Sequence, residues 1–255
     1  MGTRALDLAD WLIVDDERDE QLRLKRSLID DVPHIVVATS TSADAPAEEV
    51  RELIAAAVGD PAAGDHRHPL VDAALMVQED LVVVQLVDGR WTVTAGVVCF
   101  PTNWTIADKL GQPLAAVHGP VAHYDTELRD KVDRFHDRLT VDRPVWRRNW
   151  FVTPTGELHL PEFPPGLVIP DVVAPDGSPM WIRSERQTLR RLPRSAAILF
   201  TIRVQRTPLG ILRERPDLAR RMLAAIRSWD DAKRAYTSTG RVLDALERWL
   251  ADVDQ

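Results

Sequence analysis

The sequence predicts an α+β fold, an antiparallel sheet flanked by helices, and three observations predict it. Residues 91–97 alternate Trp91, Val93, Ala95 and Val97 against Thr92, Thr94 and Gly96, the period of a strand with two unlike faces. Asp88-Gly89 precedes that run directly and is the strongest hairpin signal in the chain, because both residues tolerate the positive φ of a two-residue turn. Helical patterns lie before, between and after the β-type runs, and no G-x-G-x-x-G or G-x-x-x-x-G-K-[ST] pattern marks a doubly wound nucleotide fold.

The elements follow in order. Glu20 to Ile29 places Leu22, Leu24, Leu28 and Ile29 near helical spacing after the acidic pair Asp15 and Asp16. Ala43 to Ala57 puts Val50, Leu53, Ile54 and Ala57 on one helical side behind possible caps at Ser42 and Asp44. Residues 59–69 read as a loop, and Ala73 to Leu86 as two apolar β-type runs entering the hairpin. Thr105 caps a short helix through Lys109, which Gly111 ends. A helix over Asp125 to Leu139 aligns Leu128, Val132, Phe135 and Leu139. Residues 143–152 are extended, 161–180 form a proline-rich loop, 184–192 a helix stopped by Pro193, and Ala196 to Arg206 a strand. Helices over Pro216 to Trp229 and Arg241 to Val253 close the chain.

At 255 residues and 45% hydrophobic content, one substantial core is expected, in one domain over 1–255 with helical extensions at each end. A formal net charge of −7 argues against general affinity for nucleic acid or anionic membranes. The single cysteine, Cys99, excludes an internal disulfide and a cysteine-held zinc or iron–sulfur site. No signal peptide or membrane-length apolar run is read, so a cytoplasmic protein is expected.

Three groups of residues carry candidate chemistry. His118 follows the apolar run 114–117 and precedes Gly119 and Pro120, an arrangement that suits an axial haem ligand and equally a hydrogen-bonded structural histidine. His123 shares the ambiguity, and His66 and His68 form a His-x-His in a charged loop, a weak metal site or a solvated pair. Arg183, Arg186 and Arg190 fall at i, i+3 and i+7 with Arg191 and Arg194 nearby, a row that fits an anion or a solvated face. Arg203 and Arg206 follow on the next strand. Phe100, Asn103 and Trp104, with Trp146, Arg148, Asn149 and Trp150, form an aromatic and polar group suited to an amine pocket or to core packing. A hydrolase built on His118, His123 and Asp125 lacks a nucleophile such as the serine of a G-x-S-x-G turn.

The stretches CFPTNW and KLGQPLAAVHGPV within 99–121, VDRFHDRL at 132–139, RPVWRRNW at 143–150 and ERQTLRRLPRSAAILFTIRVQRTPL at 185–209 resemble the haem-dependent oxidative N-demethylase family. With WLIVDDERDEQLRLKRSLI at 11–29, the resemblance covers nearly the whole chain. It implies a PAS-like domain holding haem b and its iron, and oxygen-dependent demethylation of a small secondary amine. It implies electrons from NADPH through a flavin and iron–sulfur partner, since this chain carries neither cluster cysteines nor a flavin fingerprint. By position it makes His118 the proximal iron ligand, and Arg186, Arg190 and Arg191 candidates for pairing haem propionates or for holding oxygen-derived anions. Trp104, Asn149 and Trp150 match further motif positions and are candidate catalytic residues. A non-catalytic PAS-like sensor or carrier is the alternative reading.

Overall fold

The computed structural model describes residues 2–59, 68–117, 126–164, 172–231, 234 and 243–253, without the side chains of 126–131. Its sheet has seven strands: β1 (Arg4–Ala5), β2 (Val37–Thr39), β3 (Asp80–Val87), β4 (Arg90–Val97), β5 (Val145–Thr153), β6 (Trp181–Arg191) and β7 (Ile198–Pro208). They lie in the order β1-β5-β6-β7-β3-β4-β2, and every neighbouring pair is antiparallel. With the helices before, between and after the strands, this is an α+β fold.

The hairpin forms as its sequence dictates. Val87 pairs with Arg90, and Asp88 and Gly89 take φ of 49° and 76°, the doubly left-handed turn that matches strand twist. On β4, Gly96 is required by proximity, because a Cβ there would sit 2.6 Å from the Ile106 side chain.

The helices are α1 (Arg18–Asp31), α2 (Pro33–Val36), α3 (Asp44–Val58), α4 (Pro69–Met76), α5 (Leu114–Val117), α6 (Thr126–Asp137), α7 (Pro216–Arg227) and α8 (Leu243–Val253). One sheet face carries Leu81, Val83, Ala95, Val97 and Leu199 and packs against Val50 and Ile54 of α3, Leu70, Ala73 and Ala74 of α4, and the buried Trp11. We call it the strap face, after the N-terminal segment across it. The other, the site face, carries Val82, Val84, Val93 and Ile198 and packs against Leu114 of α5, Leu139 and Trp91. A third cluster joins α7 and α8 to Val152 and Met180 through Leu223, Ile226, Leu246 and Leu250.

Two expected elements are corrected. The helix expected over 184–192 is strand through Arg191, the body of β6, with paired strands on both sides. Eight of the nine residues 184–192 are Ser, Glu, Arg, Gln or Leu, which tolerate a helix well, but ladder pairing along two edges overrides that weak preference. Ala73 to Met76 belongs to α4, whose first turn holds Pro69 and whose cap is His68, with Nδ1 accepting from the Leu70 amide at 3.2 Å. The short helix expected at 105–109 is a single tight turn at Ala107–Lys109. Most of the loop expected at 59–69 lies outside the described residues.

Candidate functional site

Alternation along β6 decides where its charges go. Ser184, Arg186, Thr188 and Arg190 point to the strap face, and Arg183, Glu185, Gln187, Leu189 and Arg191 to the site face. The expected single row of Arg183, Arg186 and Arg190 is thereby split, because a row at i, i+3 and i+7 exists only on a helix.

On the strap face the arginines hold the N-terminal segment. Arg186 donates to the carbonyls of Trp11, at 2.9 Å, and Asp10, at 2.5 Å, and its guanidinium stacks 5.3 Å from the Trp146 ring. Arg190 lies 4.6 Å over the ring of Trp11. Arg203, opposite Arg186, donates to Gln21 at 2.9 Å and pairs with Asp15 at 2.6 Å. Glu79 accepts from the Ile13 amide at 2.9 Å, and the wholly buried Lys25 donates to the carbonyls of Val77 and Glu79. Asp10 to Asp15 are thus a strap whose backbone meets the side chains of Arg186 on β6 and of Glu79 and Gln78 just before β3, the last accepting from the Asp15 amide at 3.2 Å.

On the site face Arg183 is 1% exposed and donates to the carbonyls of Phe100, Pro101, Glu157 and Leu158, clamping two loops together. Asp80 accepts from the amides of Cys99 and Phe100, both at 2.9 Å. Burial lowers the Arg183 pKa to about 10 and raises those of Asp80 and Glu185. Burial also pushes the Cys99 thiol up to about 12, so Cys99 is no nucleophile.

Beside Arg183 runs a line of three side chains that the sequence did not single out. Arg147 Nε donates to Gln187 Oε1 at 2.7 Å, and Gln187 Nε2 donates to Glu185 Oε2 at 2.9 Å. Asn149 faces Glu185 across the β5–β6 ladder. The only signal for this line was the odd-numbered alternation 183, 185, 187, 189, 191 within the E-R-Q-T-L-R-R segment.

Along the same face toward the hairpin, Arg191 is half-buried 5.3 Å over the Trp91 ring, whose indole nitrogen donates to Asp137 at 2.8 Å. Trp91 also packs near the buried His136 of α6, ring centroids 6.1 Å apart.

The candidate residues are therefore only partly brought together. Asn149 and Arg191 share the site face, and Trp104, half-buried, packs against the cluster there that includes Val98 and Ile106. Trp150 is on the strap face, 5.5 Å from Trp229 over a shallow depression with Ile182, Leu218, Arg221 and Met222. Arg186 and Arg190 are engaged by the strap. His118, His123, Asp125 and His66 lie outside the described residues. Among the described residues no group of three His, Cys, Asp or Glu is placed to hold a metal, and no helix is long and apolar enough to cross a membrane.

The fold and this face define a class: an α+β domain in which one sheet face is packed shut and the other joins an apolar wall to half-buried charges. The family model described as haem-dependent oxidative N-demethylase, alpha subunit-like, matches residues 57–247, and the chain belongs to that family.

Proposed function

We propose that the chain is the haem-bearing subunit of an oxygen-dependent system that demethylates a small secondary amine. The observation that carries this reading is the family match over 57–247, which spans the strands and loops that build the site face. The site face fits the cofactor in its chemistry: Val82, Val84, Val93, Leu114 and Leu139 pack into a buried apolar layer that would back a flat macrocycle. Arg191, with no carboxylate partner among the described residues, offers a donor for a propionate. Arg186 and Arg190 are turned from that role by the strap, and Arg191 keeps it. We read the antiparallel sheet, with Leu114 of α5 and Leu139 after α6 packed on the β3–β4 end of one face, as PAS-like.

His118, between α5 and α6 in sequence, is our candidate for the iron ligand. Haem, when bound, supplies the oxidising chemistry, and the protein supplies ligation, burial and placement. The balanced reaction takes a methylamine R–NH–CH3, dioxygen, two electrons and two protons to R–NH2, formaldehyde and water. The electrons come from NADPH through a partner carrying flavin and an iron–sulfur cluster, because the only cysteine here is the buried Cys99. Asn149 and Trp104 are our candidates for lining the amine pocket, and Trp150 supports β5 from behind.

The test is formaldehyde release from dimethylamine by the haem-loaded chain with a surrogate ferredoxin reductase system. Release that depends on dioxygen and on the chain supports the reading. A reduced haem protein that binds oxygen stably and releases none is a sensor or carrier instead.

A further inference from the structure

We infer that the line Arg147, Gln187 and Glu185 recognises a zwitterion, so that the amine this protein takes is an N-methyl α-amino acid in preference to a simple dialkylamine. The demethylation context rests on the function proposed above; the recognition rests on the geometry of these three side chains.

Gln187 is the key. Its amide oxygen accepts from Arg147 Nε and its amide nitrogen donates to Glu185 Oε2, at 2.7 and 2.9 Å. A flipped amide would set donor against donor and acceptor against acceptor, so the two partners fix its orientation. One neutral, 7% exposed side chain thus holds a cation and an anion at its two ends. Arg147 and Glu185 form no ion pair within 4.0 Å, although they sense each other's charge. Arg147 Nη1 and Nη2 and Glu185 Oε1 have no hydrogen-bond partner among the described residues.

Both charges are partly exposed yet strongly desolvated: burial lowers the Arg147 pKa and raises that of Glu185. A planar fork with two free N–H groups matches a carboxylate bidentately, and a free carboxylate oxygen matches the N–H of a protonated secondary amine. Arg147 lies directly opposite Gln187, and Glu185 is the next residue along that face of β6. Such diagonal positions are about 7–8 Å apart on a sheet. An α-amino acid, whose ammonium and carboxylate are carried on one carbon, spans this gap with one hydrogen bond at each end. Dimethylamine would satisfy Glu185 and leave the Arg147 fork bare. Asn149, opposite Glu185, adds an amide beside the amine end.

The experiment is isothermal titration calorimetry on the full chain, with and without added haem, using N-methylglycine, dimethylamine and acetate. Wild type should bind N-methylglycine at least about tenfold more tightly than either fragment, about the factor expected of one charge-assisted contact. Arg147→Met should bring N-methylglycine down to the dimethylamine affinity. Arg147→Lys, which keeps the charge without the fork, should weaken it about fivefold and serves if the methionine variant does not fold. Glu185→Gln should weaken both amines together and spare acetate. Dimethylamine binding as tightly as N-methylglycine, or N-methylglycine affinity unchanged by either Arg147 substitution, overturns the proposal. A chain that takes no haem yet binds N-methylglycine through Arg147 keeps the site and loses the demethylase reading. Haem uptake with preferential binding of dimethylamine does the reverse.

Discussion

The guanidinium of Arg186 donates to the backbone carbonyl of Trp11 across 2.9 Å, joining residues 175 positions apart. With the second bond to Asp10 and the stacking of Arg190 on Trp11, it makes β6 the anchor of the N-terminal strap. Hydrogen bonds from a charged donor contribute more than neutral ones, and their loss leaves buried carbonyls unpaired. Arg186→Ala should therefore cost about 2–3 kcal/mol in urea unfolding. Hydrogen exchange should quicken first in residues 10–15. Equal exchange there in variant and wild type would mean the strap is held by the Glu79, Gln78 and Arg203 contacts alone.

Arg183 is the deeper anchor. Four backbone carbonyls, from residues 100, 101, 157 and 158, accept from it. Arg183→Met should destabilise by about 3–5 kcal/mol, the range for removing one partner of a buried charged network. Arg183→Lys should recover little, because a single ammonium cannot reach carbonyls on two loops. Thermal unfolding of the three proteins measures both effects.

Glu185 sets a pH dependence. Burial, only partly offset by Arg183 and Gln187, raises its folded-state pKa above the unfolded value. Between those two values the folded state holds more protons than the unfolded chain, so stability falls as pH rises through that window. Glu185→Gln removes the ionisation, and should be more stable than wild type at pH 8, with the gap closing toward pH values near about 4, where an unfolded glutamate protonates. Urea midpoints at pH 4, 6 and 8 test this, and a constant difference across them would contradict it.

Glu49 acts in the opposite sense. It is 2% exposed and accepts from the amides of Arg194 and Ser195, at 2.7 and 2.9 Å, in the turn between β6 and β7. Burial raises its pKa, but the hydrogen bonds from Ser195 and Arg194 outweigh that and leave it lowered. Its contribution is present above the unfolded glutamate pKa and is lost as pH falls through the folded value. Glu49→Gln should cost about 1–2 kcal/mol at pH 7, the value of charge-assisted bonds made weaker, and much less in acid.

How far the sequence disclosed this structure varied with how local the cause was. The β3–β4 hairpin was legible because Asp88-Gly89 and the alternation after it are local causes. The helices α1, α3, α7 and α8 were legible from their apolar stripes. β6 was not, because it carries arginine on both faces, and each is paid for by a distant partner: the strap for Arg186, the 100–101 and 157–158 carbonyls for Arg183, Trp91 for Arg191. No window of sequence contains those partners, so helix propensity was the louder signal. The Arg147–Gln187–Glu185 line was hidden for the same reason, since its two halves are 40 residues apart and meet only through the β5–β6 register.

Whether the chain holds haem through His118, as proposed above, is read from the absorption spectrum of the purified chain expressed with a haem precursor. Wild type should show a Soret band that shifts or is lost in His118→Ala, while a control variant at the exposed His34 leaves it unchanged. A wild-type protein without a Soret band, or a band identical in His118→Ala, would contradict it.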